Sequence, residues 1–178
     1  MNRMISLTTL ATAALLSACS SVGERGAMAS GPMATATLEP TRGNTAAGTV
    51  TFQQVGDRVL VTAKVSGLKP NQEHGMHVHE KGDCSSGDGM STGGHFNPDA
   101  KPHGPQGGDH HAGDMPALTA DANGNANASF QLTGVSVGGG AADLVGHGLI
   151  VHAAPDDYKT QPTGNSGARI ACGVVKLS

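Results

Sequence analysis

Histidines are concentrated in one part of this sequence. Six of the nine histidines fall between Gly75 and Asp114. His77 and His79 are two residues apart in an apolar run that contains valine. Side chains two apart on a β-strand project from the same face. Imidazole nitrogens are ligands for copper and zinc, so this pair could supply half of a metal site.

The segment after His79 is predicted to be a long ordered loop, because it is rich in Gly, Ser, Asp, Asn and Pro. A loop of this length in a compact domain is usually functional or internally tied. Two bland interpretations are unrelated surface histidines and a disordered metal-buffering tract. Two histidines on a strand and an aspartate at the loop's end favour a structured site instead. The candidate ligands in the loop are His95, His103, His110 or His111, and Asp114.

The composition predicts that one all-β domain positions these residues. The chain has 178 residues, a length that suits one domain. Aromatic residues make up 2%, Trp is absent and there are 27 glycines, which favours strands joined by turns over a helical bundle. The formal net charge of −3 argues against a nucleic acid partner.

Alternation of apolar and polar residues predicts about eight strands, with signals that begin near Thr35. Two long polar loops interrupt them, one after residue 80 and one at 156–168, and no segment has a convincing helical period. We therefore expect an antiparallel sandwich or flattened barrel. The predicted strands are 34–40, 48–54, 58–66, 73–80, 115–120, 127–132, 148–152 and 171–177.

The N-terminus, residues 1–18, is predicted to be an export signal. A short positive start, MNRM, precedes an apolar stretch at 5–16 that is too short to span a bilayer. The following LSAC resembles the bacterial lipobox, in which Cys19 would be lipidated and become the mature N-terminus. Ser20 resembles a signal for outer-membrane sorting. An ordinary signal peptide cut nearby is the alternative.

Cysteine usage agrees with export. The chain has three cysteines, an odd number for an exported protein. If Cys19 carries lipid, Cys84 and Cys172 remain as a pair, and the oxidising periplasm would bridge them. Residues 19–34 would then be a lipidated N-terminus and flexible tether that anchors a periplasmic domain, 35–178, to the outer membrane.

Five blocks in the same order carry a family resemblance. They are GMHVHEKGDC, GGHFNP, HGPQGGDHHAGD, GLIVHAAPDD and GNSGARIACGV. From about Thr35 to the C-terminus the sequence closely resembles the bacterial copper,zinc superoxide dismutases. The resemblance implies an eight-stranded Greek-key β-sandwich with two long functional loops. It also implies one copper and one zinc per subunit.

The resemblance also assigns the metal ligands, and His95 would bridge both metals. The adjacent His110 is one residue off the family's spacing to Asp114, so the zinc role falls to His111. The implied copper ligands are His77, His79, His95 and His152. The implied zinc ligands are His95, His103, His111 and Asp114.

Three further roles follow from the resemblance. Asp156 would accept hydrogen bonds from a zinc histidine, His103, and a copper histidine, His77. Arg169 would flank the copper and attract and orient superoxide. From the residues alone, these two could be an ordinary turn aspartate and a surface arginine. Cys84 and Cys172 would form the family's disulfide.

The implied function is conversion of superoxide to dioxygen and hydrogen peroxide by alternating reduction and oxidation of copper. Arg169 and His95 would be the catalytic residues, and Lys159 could add to the attractive field. The expected partner is the superoxide anion, with membrane contact only through Cys19; monomer and homodimer both stay open. Two rivals are a non-enzymatic copper- or zinc-binding lipoprotein on the same fold and a structural secreted β-domain.

Overall fold

The computed structural model describes residues 30–178. The predicted signal peptide, Cys19 and residues 20–29 of the predicted tether lie outside the described residues. Within residues 30–178, none of the helices has the length and apolar character needed to cross a membrane.

Strands dominate the described part of the chain, and the helical structure there is one 3₁₀ turn, Met90–Thr92. The strands are β1 (Ser30–Pro40), β2 (Ala47–Val55), β3 (Arg58–Ser66), β4 (Glu73–His74), β5 (Met76–His79), β6 (Leu118–Thr119), β7 (Ala126–Thr133), β8 (Gly148–His152), β9 (Arg169–Val174) and β10 (Lys176–Leu177).

Alternating burial explains the long strands. In β3, Val59, Val61 and Ala63 are completely buried while their neighbours are more exposed. Since strand side chains alternate between faces, this pattern places one face of β3 on the core and the other towards water. Full burial of a valine side chain such as Val59 or Val61 contributes roughly 1.5–3 kcal/mol relative to exposure.

The main sheet has eight strands in the order β5-β8-β9-β1-β2-β3-β7, and β10 also pairs with β1. All of its strand pairs are antiparallel, and the sheet is curled like part of a barrel. The predicted antiparallel all-β class is therefore confirmed. Strands β4 and β6 form a separate two-stranded sheet.

The strands that carry the candidate ligands are the most buried. Every residue of β5 and of β8 is buried, as expected for the apolar run at 148–152. The two strands pair antiparallel, with His77 opposite Ile150 and Met76 opposite Val151. This pairing carries His77 and His79 to the same part of the molecule as His152.

The structure corrects several predicted strand limits. Strand β1 begins at Ser30, because Ser30 pairs with Val55 and Met33 with Gln53, so residues 30–34 are not part of a free tether. The predicted strand 73–80 is divided at Gly75 into β4 and β5, and the predicted strand 115–120 shrinks to β6.

Candidate metal centre

Four histidines from three regions of the chain converge on one point. His77 and His79 come from β5, His152 ends β8, and His95 is brought in by a single β-bridge to His79. The ring centroids of His77 and His95 lie 4.1 Å apart, and those of His77 and His152 lie 4.9 Å apart. Each ring offers one nitrogen, and the four nitrogens lie within 4.8 Å of one another.

One nitrogen of each ring in this cluster has no hydrogen-bond partner, although all four are buried. These atoms are His77 Nδ1, His79 Nε2, His95 Nε2 and His152 Nε2. Leaving a buried polar group unpaired is costly, so four such atoms at one place call for a shared partner. A metal cation can be that partner, because it accepts the lone pairs of several imidazole nitrogens at once.

The opposite ring nitrogens fix how these rings are turned. His79 Nδ1 donates to the Gly93 carbonyl at 3.0 Å, and His152 Nδ1 donates to the Gly167 carbonyl at 3.2 Å. A neutral imidazole that donates from one nitrogen has its lone pair on the other. The unpartnered Nε2 atoms of His79 and His152 are therefore the ones able to bind a metal.

A second cluster contains His95, His103, His111 and Asp114, and their ligand atoms also lie within 4.8 Å of one another. Three Nδ1 atoms surround a single carboxylate oxygen, Asp114 Oδ1, at 2.8 Å from His95, 3.0 Å from His103 and 3.3 Å from His111. His103 Nε2 donates to Asp156 Oδ1 at 2.9 Å, so its Nδ1 carries a lone pair that faces Asp114. Two acceptors that face each other are stabilised by a cation between them.

The structure separates the two adjacent histidines of the loop. His111 is buried in the second cluster, whereas half-buried His110 directs its Nδ1 to the His111 carbonyl at 2.7 Å. His111 is held in place by its own backbone N–H, which donates to Asp114 Oδ2 at 2.9 Å. His110 is thus outside both clusters.

Burial keeps the imidazoles of His77 and His152 neutral. Desolvation lowers the pKa of His77 to about 4 and that of His152 to about 3. Burial raises the pKa of Asp114, but hydrogen bonds from His95 and the Gly104 N–H outweigh it and hold that pKa well below its usual range. Neutral imidazoles and an ionised carboxylate are the protonation states that metal binding requires.

Asp156 connects the two clusters. Its Oδ2 accepts from His77 Nε2 at 2.6 Å, and its Oδ1 accepts from His103 Nε2 at 2.9 Å. A glycine at 164 makes room for this carboxylate: its φ is +66°, and a Cβ there would collide with Asp156 Oδ1. The predicted contacts of Asp156 are therefore present, and the need for Gly164 was not anticipated.

Arg169 lies at the start of β9, beside the four-histidine cluster. Its guanidinium donates to the Gly89 carbonyl and Thr92 Oγ1, each at 2.7 Å, and to the Gly93 carbonyl at 2.8 Å. It lines a cavity of about 280 Å³ together with His79 and His152. The residues that line this cavity do not include Lys159, whose side chain is exposed.

A disulfide joins Cys84 and Cys172 across 88 residues of sequence, as predicted. Cys172 lies on β9, three residues after Arg169, and Cys84 lies in the loop that leads to the Met90–Thr92 turn. The bridge therefore ties the loop that accepts the Arg169 hydrogen bonds to the strand that carries Arg169.

Three side chains near the clusters make contacts that had no recognisable signal in the sequence. The side-chain amide of Gln161 pairs with both backbone groups of His103, at 2.8 and 2.9 Å. Gln106 donates to the Asp114 carbonyl. His74, which is 1% exposed, donates from Nδ1 to the His152 carbonyl at 2.8 Å.

The antiparallel β fold carries two clusters that share His95, one of four histidines and one of three histidines and an aspartate. This combination is typical of a β-sandwich protein that binds two metals. The family model described as copper/zinc superoxide dismutase matches residues 46–175. The chain belongs to the copper/zinc superoxide dismutase family.

Named relatives agree with this assignment. Superoxide dismutase [Cu-Zn] 1 of Aquifex aeolicus (strain VF5) is 43% identical over 130 residues, which cover 69% of this chain and 76% of the relative. Superoxide dismutase [Cu-Zn] 2 of Brassica juncea is 42% identical over 139 residues, covering 73% of this chain and 89% of the relative.

Two solved structures share the fold. The clock protein EA4 is 38% identical with a TM-score of 0.75, and the match covers 83% of this chain and 96% of that one. A variant of a superoxide dismutase-like protein from Bacillus subtilis is 36% identical with a TM-score of 0.71, covering 80% and 96%.

The chain is therefore a copper- and zinc-dependent oxidoreductase that converts superoxide to dioxygen and hydrogen peroxide. The family model and the named relatives therefore favour the enzyme over the two alternatives, a non-enzymatic metal-binding lipoprotein and a structural β-domain. The disulfide and the bacterial relatives are consistent with a location outside the cytoplasm.

Proposed function

We propose that the two clusters divide the metals by their donor sets. Three imidazoles and a carboxylate can close a tetrahedral zinc site, whereas imidazoles alone suit copper. His79 and His152 also line the cavity beside Arg169, which leaves a route for a small anion. The copper ligands are then His77, His79, His95 and His152. The zinc ligands are His95, His103, His111 and Asp114.

The observation that carries this proposal is the placement of one ring, His95. Its Nδ1 lies 2.8 Å from Asp114 Oδ1 in the second cluster, while its Nε2 is one of the four unpartnered nitrogens of the first. A single imidazole thus presents one nitrogen to each cluster, and deprotonation of both nitrogens lets it serve two cations.

Copper, when bound, supplies the one-electron exchange with superoxide. Around it, the chain provides charge, orientation and a proton. Arg169 carries a fixed positive charge into the cavity, and its three hydrogen bonds hold that charge in place. Since the formal net charge of the chain is −3, this local charge must overcome overall repulsion of the anion.

In this proposal His95 holds a proton on Nε2, which is buried and has no hydrogen-bond partner, and passes it to the reduced oxygen. Asp156 keeps His77 and His103 in fixed orientations through its two oxygens, as partners of ligating histidines commonly do. In this scheme no side chain forms a covalent bond to the substrate.

The assignment is tested by metal analysis of the mature protein and of matched histidine variants. We expect one copper and one zinc per chain, with His111→Ala losing zinc and retaining copper. His110→Ala is the control, because it removes the neighbouring ring that lies outside both clusters. Zinc loss in His110→Ala with zinc retained in His111→Ala would overturn the assignment.

We also propose that the exported protein is anchored to the outer membrane through lipid on Cys19. The support is the LSAC sequence at 16–19, the Ser that follows it, and the odd cysteine left by the Cys84–Cys172 bridge. Mass spectrometry of the mature N-terminus should find acylated Cys19, and Cys19→Ser should release the protein from membranes. An unmodified mature N-terminus at another residue would refute the anchor.

A further inference from the structure

Met90 is an exposed methionine at the edge of the copper cavity. Its side chain is 60% exposed, although large apolar side chains elsewhere in the described chain are mostly buried. Met90 lines the same cavity of about 280 Å³ as His79, His152 and Arg169. A solvent-exposed thioether side chain therefore borders the cavity that His79 and His152 also line.

The backbone holds Met90 in this position. Its 3₁₀ turn lies between Gly89 and Gly93, which both have φ of +76°. Arg169 donates to both glycine carbonyls and to Thr92 Oγ1. The Met90 N–H donates to Asp88 Oδ1 at 2.9 Å. A turn with this many fixed contacts keeps its methionine at the cavity.

Two buried ring nitrogens at the cavity indicate that the ion bound by the thioether would be a metal cation. His79 Nε2 and His152 Nε2 are buried and lack hydrogen-bond partners, and both side chains line the cavity with Met90. The cavity thus combines one soft sulfur donor near solvent with two imidazole donors deeper inside.

Thioethers select Cu(I) over harder cations, whereas imidazole also accepts Cu(II) and zinc. We propose that Met90 is an entry ligand for Cu(I), which binds the thioether first and then exchanges it for the imidazoles of His79 and His152. The transfer is a ligand exchange, so copper keeps its oxidation state and no electron or proton is consumed. This inference rests on the proposed copper assignment.

The first test measures copper uptake by the zinc-loaded, copper-free mature protein. Cu(I) is supplied anaerobically as its acetonitrile complex, and Cu(II) is supplied separately as its glycine complex. We expect Met90→Leu, which keeps size and removes sulfur, to slow Cu(I) uptake at least about five-fold while leaving the rate of Cu(II) uptake unchanged. Met33→Leu is the control, since Met33 is 41% exposed but does not line the cavity.

The outcomes separate the two proposals. Equal Cu(I) uptake by Met90→Leu and the unsubstituted protein, or equal slowing of Cu(I) and Cu(II), overturns the entry ligand while the copper assignment stands. If the unsubstituted protein retains copper from neither source, the copper assignment fails and the entry ligand fails with it.

A second measurement uses the unsubstituted protein and does not depend on how a variant folds. The methionine methyl groups are labelled with ¹³C, and Ag(I), a redox-inert substitute for Cu(I), is added in steps to protein that already holds Cu(I), so that the imidazoles of His79 and His152 are occupied and added Ag(I) stays at the thioether. The Met90 methyl signal, identified by its absence in Met90→Leu, should shift at the lowest Ag(I) concentrations and before that of Met33. Simultaneous shifts of both signals, or no shift of Met90, would contradict the proposal.

Discussion

The two metal clusters of this protein share one ring but are built from different parts of the fold. The four-histidine cluster takes three of its members from β5 and β8, where every residue is buried and paired. The second cluster takes all of its members from the long loop between β5 and β6. Strands preorganise their ligands, whereas loop ligands are ordered chiefly by what they bind.

The difference extends to charge. The four-histidine cluster contains imidazoles and no carboxylate, and one nitrogen of each ring has no hydrogen-bond partner. In the second cluster, three Nδ1 atoms surround one oxygen of the Asp114 carboxylate, so some of the ring nitrogens already have a hydrogen-bond partner. We expect copper to enter a site that is already formed, and zinc to stabilise a loop that is otherwise held by hydrogen bonds.

Removal of zinc should therefore affect the two regions very differently. A ligand present at about 1,000 times its Kd contributes about 4 kcal/mol to the state that binds it. Amide hydrogen exchange in residues 95–114 should accelerate roughly 1,000-fold when zinc is removed, while β5 and β8 stay protected. Equal acceleration in the strands and the loop would show that the two clusters do not differ in preorganisation.

Substitution of the shared ring should damage both clusters at once. Loss of a partner that only orients a ligand costs about 10–100-fold in metal affinity or activity. His95→Ala removes a ligand of both sites, so dismutase activity should fall at least about 100-fold, with lower copper and zinc contents. Normal zinc content in His95→Ala would mean that the ring belongs to the copper cluster alone.

Arg169→Ala should impair capture of the anion without changing either metal content. Electrostatic steering changes association rates by about 10–10³-fold, so kcat/KM measured at low salt should fall by about 10-fold or more. The variant should also lose most of its sensitivity to salt, since screening acts on the charge that has been removed. Arg169→Lys keeps the charge and is the control, with a smaller decrease and retained salt dependence.

The smallest effect on metal binding should come from Gln161→Ala, which affects the second cluster only. The amide makes two hydrogen bonds to the His103 backbone, each worth about 0.5–1.5 kcal/mol. Zinc affinity in a chelator competition should fall by about 10-fold, with copper affinity unchanged. A parallel decrease in copper affinity would show that the two clusters are coupled through this loop.

The sequence predicted the strands that carry ligands better than the long loop that carries the second cluster. Strand β3 was predicted with the limits that the structure has, and β8 likewise, because period-two alternation or a short apolar run is a local property. The alternation also placed His77 and His79 on one face. The start of β1 at Ser30 was missed, since it depends on pairing with Val55, which lies far along the chain.

The structure of the long loop could not be predicted from local sequence pattern alone. Residue types alone left His110 and His111 as alternatives, and the choice came from the family resemblance. The contacts that place the loop come from distant side chains: Gln161 on the His103 backbone, and Arg169 on the Gly89 and Gly93 carbonyls. Such pairings have no sequence period and no local motif, so they become visible only in three dimensions.

Asp156 gives the two halves of the centre a means of communication besides the shared ring. Its two oxygens are hydrogen-bonded to His77 and His103, so a displacement of either imidazole changes the partner available to the other. An enzyme that has lost zinc would then hold copper with altered ligand geometry, and its reduction potential would report on the occupancy of the neighbouring site.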